Sequence, residues 1–495
     1  MSDDSARRGA GRQPMSRARK ITLLVGVFLV VLLAWFVVRG VTAKVSPTTD
    51  YATELEQRAI AQIATADGVP PTPNQWDVIM RIADDLDASW KSVVKEFPTP
   101  PEGYGDRRWP GEVFDFNPFT ASEGVRQRMR EVVLLTEVRS ALDRSALLAT
   151  ARGFRVLPKG QPLALAQLPD LTAVRGLARA MALQMQIAAL DERWELSAQW
   201  YERTLGLGRI MTNQPTLIDR LVGIAIISLA NDRLRTVLAH TLPDDAALRG
   251  FDAALVRQLG IDELGAMKRV PSAAYSIENE RIALLDSVQW CFTDNGDGDG
   301  RLVAAQLERF LHPGAMPGGK FANLMGSFLP GRKATVDLAT AAFAREAERS
   351  KVPVQQRAGM PTMDDFDRSR TQIFLSTMLP ALSSATRSHD QLQLDVISMR
   401  LIFALERHRI RTGAYPAALR DLVPVEASFI PADPFSTIGL LYRAEGSTYV
   451  LYSAGLDNTD DGGKVPAKEG ERFHALGRDR EGKGYDYMLG APKKE

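Results

Sequence analysis

Residues 295–306 read NGDGDGRLVAAQ, an alternation of amide, carboxylate and glycine that suits a hard cation. Calcium takes about six to eight oxygen ligands around a tight turn, and the EF-hand loop supplies them at fixed, mostly alternate positions. In that register Asn295, Asp297 and Asp299 stand at positions 1, 3 and 5, with Gly300 at the sharp turn. Arg301 would offer its backbone carbonyl at position 7. Gln306, at position 12, brings one neutral oxygen where a bidentate Glu is usual. The expected affinity is therefore weak, ~10⁻⁴–10⁻³ M, as in extracellular modules. Helical stripes flank the loop: Ile277, Leu284, Val288 and Cys291 before it, Val303, Leu307, Phe310 and Leu311 after it. A solvated Asp/Gly turn is the alternative. The loop itself contains no His or Cys to suggest a transition metal.

A second acidic loop follows two short β-patterned runs near the C-terminus. Leu440-Leu441-Tyr442 and Tyr449-Val450-Leu451-Tyr452 read as a hairpin around Glu445-Gly446, and Asp457, Asp460 and Asp461 come just after. Three carboxylates so close together repel one another unless a cation or water intervenes. Before the hairpin, Leu394, Ile397, Leu401, Ala404 and Leu405 make an amphipathic helix that stops at Gly413.

This succession resembles the globular domain of the major, G-type pseudopilins of type II secretion. The matching residues are Gly413-Ala414-Tyr415-Pro416, Leu422-Val423-Pro424, Asp433-Pro434, and Tyr452-Ser453-Ala454-Gly455 with Asp457. The resemblance implies a small α+β domain over 385–495 whose loop after the strands binds a structural calcium ion. Carried over, Asp457, Asp460 and Asp461 supply the carboxylates, with Asp486 a poorer candidate; a solvated acidic loop is the alternative. The segment from Lys20 to Val25 has neither the Gly-Phe processing site nor the Glu of that family, and a long helical region separates it from the domain. The likeness therefore extends to the domain as a module and not to assembly into a filament.

Elements that position these loops start with Ile21–Val38, eighteen uncharged residues between Lys20 and Arg39. At about 1.5 Å rise per residue they span roughly 27 Å, close to a hydrocarbon core. Six Lys/Arg against two Asp in residues 1–20 orient that tail to the cytoplasm and the bulk of the chain outside it. The expectation is a single-pass protein of the bacterial inner membrane; a cleaved signal peptide ending near Val41-Thr42-Ala43 is the alternative, and it leaves export intact.

Residues 45–384 read as a helical region, so the fold class is mainly α with a small C-terminal α+β domain. Leu171 to Met211 carries Leu177, Met181, Met185 and Ala188, a polar break at Asp191-Glu192-Arg193, then Trp194, Ala198, Tyr201 and Leu205. Thr216 to His240 is apolar on more than one face and should sit centrally. Phe97 to Pro118 reads as an ordered loop packed by Trp109, Phe114 and Phe116. Gly314 to Lys320 approaches a phosphate loop, but Phe321 replaces the Ser/Thr and no strand precedes it, so it reads as a linker.

Beyond residue 20 the chain holds 55 basic and 58 acidic residues, which leaves no electrostatic footprint for nucleic acid. Cys291, the only cysteine, has no His nearby to activate it. There is no HExxH, no GxSxG and no complete phosphate loop, so catalysis would need a dispersed site. Three functions remain: an envelope binding or scaffold protein with protein partners, an accessory of a secretion or pilus-like machine, and an envelope enzyme.

Overall fold

The computed structural model describes residues 44–105, 109, 112–166, 171–263, 265–303, 306, 329–357, 359–360, 373–464 and 486–490, with 373–385 as backbone, together with Phe28 and Val31. The rest of the Ile21–Val38 segment, the 1–20 tail and the Gly314–Lys320 loop lie outside the described residues. Phe28 and Val31 are helical and exposed. Among the described residues no helix is long and apolar enough to cross a membrane.

The described residues are mainly helical, with a small three-stranded antiparallel sheet. The helices are α1 Tyr51–Asp67, α2 Trp76–Ala88, α3 Trp90–Glu96, α4 Glu123–Leu134, α5 Thr136–Arg144, α6 Leu171–Leu190, α7 Trp194–Thr212, α8 Leu217–His240, α9 Asp245–Leu259, α10 Ala273–Cys291, α11 Arg332–Ser350 and α12 Ile373–Thr412. Strands β1 Leu440–Glu445, β2 Thr448–Ser453 and β3 Tyr487–Gly490 follow, in the order β1-β2-β3. Two compact units divide these elements. The smaller takes Met1–Thr48, Ser287–Asp337 and Arg370–Gln372, and the larger takes Thr49–Asp286, Leu338–Ser369 and Ile373–Glu495.

In the larger unit, side-chain caps start several helices. Asp50, Ser122, Thr216 and Asp244 accept the amides of Thr53, Val125, Asp219 and Ala247, which satisfies donors that a first turn leaves orphaned. Helices α1, α9 and α12 end where Gly68, Gly260 and Gly413 take positive φ. The break between α6 and α7 falls at Asp191-Glu192-Arg193, as the polar triplet indicated. The stripe Leu177, Met181, Met185 and Ala188 is buried, as are Tyr201 and Leu205, while Trp194 and Ala198 are partly buried. Helix α8 is central as expected: it packs on α6, α7 and α12. Close approach there needs glycine, since a Cβ on Gly223 would stand 2.4 Å from the Thr212 amide nitrogen. Tyr201, Phe251 and Phe403 link α7, α9 and α12, with ring centroids 5.8 and 6.5 Å apart. The Pro-rich loop is ordered around Tyr104, whose ring lies 5.2 Å from Trp109 and 4.9 Å from Phe116. Phe114 is buried beneath Trp90.

The expected division between residues 384 and 385 falls inside α12, and the core does not break there. One hydrophobic cluster runs from Trp76 through α6–α9 and α12 to Tyr415, Tyr449, Leu451 and Leu489. The hairpin turns at Glu445-Gly446 as expected, with Leu440 opposite Ser453 and Glu445 opposite Thr448. Strand β3, too short to show in the sequence pattern, pairs with β2 through Leu451, Tyr452 and Ser453. All of β2 from Tyr449 to Ser453 is buried, because α12 and its following loop cover the sheet. Arg235 of α8 fastens this arrangement: its Nε donates to the Leu489 carbonyl at 3.1 Å and its Nη2 to Asp395 and Ser398 of α12.

Candidate functional site

In the smaller unit, Phe292 and Leu302 form an antiparallel bridge that brings the ends of the 293–301 loop together. Thr293 N–H donates to the Arg301 carbonyl at 3.0 Å, and Asn295 N–H to the Asp299 carbonyl at 2.8 Å. The acidic side chains are engaged locally. Asp297 accepts the Asp299 amide at 3.0 Å, and Asp299 Oδ1 accepts the amides of Gly300 at 2.8 Å and Lys333 at 3.1 Å. Asp294 pairs with Arg332. The Lys333 and Gly300 amides hold the Asp299 carboxyl below its ordinary value. Gln306 donates its amide to the Val303 carbonyl at 2.8 Å. The loop thus uses its carboxylates to fix its own turn and to cap the start of α11, and the carbonyl of Arg301 already holds one donor.

The C-terminal loop differs. Asp457 is exposed and accepts the Thr459 amide at 3.1 Å. Asp460 accepts the Tyr452 hydroxyl at 2.9 Å and the Gly462 amide at 2.9 Å. Asp486 lies just before β3 and is 1% exposed, so pairing of β3 with β2 carries it to the loop. Its Oδ2 accepts the Gly463 amide at 2.7 Å. Its Oδ1, and Oδ2 of Asp461, are buried with no donor to meet them among the described residues. Burial pushes the Asp486 carboxyl above its ordinary value, against the Gly463 and Asp461 amides that favour the anion; the charges of Asp461 and Asp460 push it further up.

An unmatched buried carboxylate oxygen costs free energy, and two near each other cost more, unless a cation or a proton satisfies them. The ranking of candidates therefore shifts: Asp461 and Asp486 carry the unmet oxygens, and Asp457 does not. By sequence alone Asp486 was only the poorer candidate, because nothing in the 22 residues between it and Gly463 signals that the two meet. Among the described residues no group of three or more His, Cys, Asp or Glu side chains is placed to hold a metal ion. A cation here would draw its remaining oxygens from backbone carbonyls and water, which calcium accepts.

Elsewhere in the larger unit, a concavity of about 530 Å³ opens between α9, α12 and the loop around Phe429. Its charges are mutually paired: Arg400 with Asp252 at 3.3 Å, and Arg407 with Glu426 at 3.2 Å. That arrangement is electrically balanced and favours no ligand charge. No known family, curated protein or solved structure matches the chain.

Proposed function

We propose that this chain is a membrane-anchored extracytoplasmic scaffold whose C-terminal module, resembling the G-type pseudopilin globular domain, is locked by calcium. Ile21–Val38 anchors it in the inner membrane with the N-terminus in the cytoplasm, and the helical body presents its surface to envelope partners. The observation that carries the calcium reading is the pair of buried, donorless oxygens on Asp461 and Asp486. Calcium would neutralise both and tie the acidic loop to the residue that leads into β3. The core shared by α6–α9, α12 and the sheet supports a scaffold that acts as one piece, because movement of the sheet against the helices would expose Tyr449, Leu451 and Leu489. The loop at 295–306 supports calcium less strongly, since Asp299 already serves as a helix cap.

The test is thermal unfolding of the full chain in detergent, with calcium and with chelator. Binding to the folded state alone adds RT ln(1 + [Ca]/Kd), about 2.7 kcal/mol at a hundredfold excess. Chelator should lower the melting temperature, magnesium should restore it poorly because of its octahedral demand, and Asp461→Ala should abolish the difference. Equal melting with calcium and chelator removes calcium from the reading. The anchor is tested separately: a reporter active only outside the cytoplasm should work after Glu495 and fail before Met15, and a soluble species starting at Lys44 defeats the anchor.

A further inference from the structure

Three guanidinium groups converge on one carboxylate in the larger unit. Arg152 Nε lies 2.7 Å from Asp67 Oδ2, Arg269 Nε lies 3.0 Å from Asp67 Oδ1, and Arg209 Nη1 lies 3.7 Å from Asp67 Oδ2. These residues line one concavity of about 240 Å³ together with Gly153 and Asn213. Asp67 can neutralise one of the three charges, so the site carries an excess of about two positive charges.

The arginines are held from behind. Arg209 is 5% exposed and donates Nε to Gln258 at 3.1 Å and Nη2 to the Ala151 carbonyl at 2.8 Å. Arg269 gives Nη1 to the Arg257 carbonyl at 2.8 Å and its amide to Leu259 at 3.0 Å. Arg152 is fixed through its backbone, with its amide on Gln75 Oε1 at 2.9 Å and its carbonyl on the Gln75 amide at 3.1 Å. Four donor nitrogens then have no hydrogen-bond acceptor among the described residues: Nη1 and Nη2 of Arg152, Nη2 of Arg269, and Nη1 of Arg209, which stands beyond hydrogen-bond reach of Asp67. Crowding of like charges shows at Arg209, whose guanidinium is lowered to about 10 by burial, with Arg269 and Arg152 adding to the fall against Asp67.

A planar guanidinium suits a tetrahedral oxyanion because its fork matches two oxygens at once. One further atom narrows the choice. Asn213 spends its amide nitrogen on the carbonyls of Arg209 and Arg269, at 2.8 and 2.9 Å, and its Oδ1 is buried with no donor among the described residues. An oxyanion that keeps a proton can satisfy that acceptor, and sulfate cannot. The concavity is open to solvent and Arg152 and Arg269 are partly exposed, so an oxyanion group docks at its mouth with anything attached to it outside.

We propose that Arg152, Arg209 and Arg269, set around Asp67, form a binding site for a phosphate group, either the bare ion or the terminal group of a soluble phosphomonoester. The experiment is calorimetric and thermal titration of the full chain in detergent with inorganic phosphate, glycerol 3-phosphate and sulfate, each at ionic strength matched with chloride. Phosphate should bind one to one and raise the melting temperature, with sulfate weaker. Arg152→Gln and Arg269→Gln, both at partly exposed positions, should each weaken binding at least about tenfold, the scale of a lost charge-assisted hydrogen bond. Arg139→Gln, an exposed arginine on α5, should change nothing. Equal affinity for phosphate and glycerol 3-phosphate identifies the bare ion, and a tighter grip on the ester identifies a larger phosphorylated ligand; either upholds the site. No effect of phosphate beyond chloride overturns it, as does undiminished binding in folded Arg152→Gln and Arg269→Gln. Sulfate binding as tightly as phosphate overturns the role of Asn213 and the choice of phosphate.

Discussion

Asp461 and Asp486 each bury one carboxylate oxygen that meets no donor among the described residues, and the charge of Asp461 helps hold the Asp486 carboxyl above its ordinary value of 3.8. A carboxyl raised on folding stabilises most when protonated, so its contribution is complete below the unfolded value and declines as pH rises through the folded one. In chelator, Asp486→Asn should therefore melt above the parent chain at neutral pH, by a margin that shrinks toward pH 4. In calcium the order should reverse. Melting curves of both proteins across that range decide it, and a margin independent of pH counts against the titration.

Asp299 has the opposite sign. Its carboxyl is lowered by the Lys333 and Gly300 amides, so its contribution is present above the ordinary value of 3.8 and lost as pH falls through the lowered one. Asp299→Ala should speed hydrogen exchange at Lys333 and Gly300 at neutral pH, and acid should produce the same loss in the parent chain. Unchanged protection at Lys333 would show that the cap contributes nothing.

Arg235 joins α8, α12 and β3 through Asp395, Ser398 and Leu489. Arg235→Ala leaves Asp395 without its charge partner in a largely buried setting, and breaking such a pair costs about 3 kcal/mol. Denaturant unfolding should register that loss. Proteolysis should report looser attachment of β3, with cleavage rising near Tyr487. A change within a few tenths of a kcal/mol would mean that water replaces the guanidinium.

Gly223→Ala tests the contact between α7 and α8. Its Cβ would meet the Thr212 nitrogen at 2.4 Å and the Gly208 carbonyl oxygen at 2.7 Å, both backbone atoms that cannot rotate away. Overpacking of this kind costs about 1–3 kcal/mol. Gly176→Ala is the control, since no atom lies within 4 Å of its added Cβ, and helix propensity alone should make it neutral or slightly stabilising.

Local rules made much of the fold readable. Gly413 stops α12, Asp191-Glu192-Arg193 separates α6 from α7, and Glu445-Gly446 turns the hairpin, each through backbone chemistry carried by the residues themselves. What escaped depends on partners distant in sequence. Tyr487–Gly490 is too short to signal a strand and becomes one only against β2. The pattern change at Leu394 suggested a domain edge, but it marks the stretch of α12 that packs on α8 and α9 before the sheet begins. The acidic pattern at 295–306 was legible as a turn, whereas its service as a helix cap depended on where Lys333 lies. The arginines around Asp67 come from separate parts of the chain, and no spacing rule connects them.

Strand β3 has a consequence for how the protein is made. Leu451, Tyr452 and Ser453 of β2 have their outer partners only at residues 487–490. Until those four residues are in place, β2 therefore waits as an open, largely apolar strand edge. Such an edge is a template for pairing with another copy, and the Arg235–Leu489 contact that closes it spans 254 positions, a separation that slows closure. The sheet therefore closes last, and shielding a bare strand until then would guard against pairing between copies.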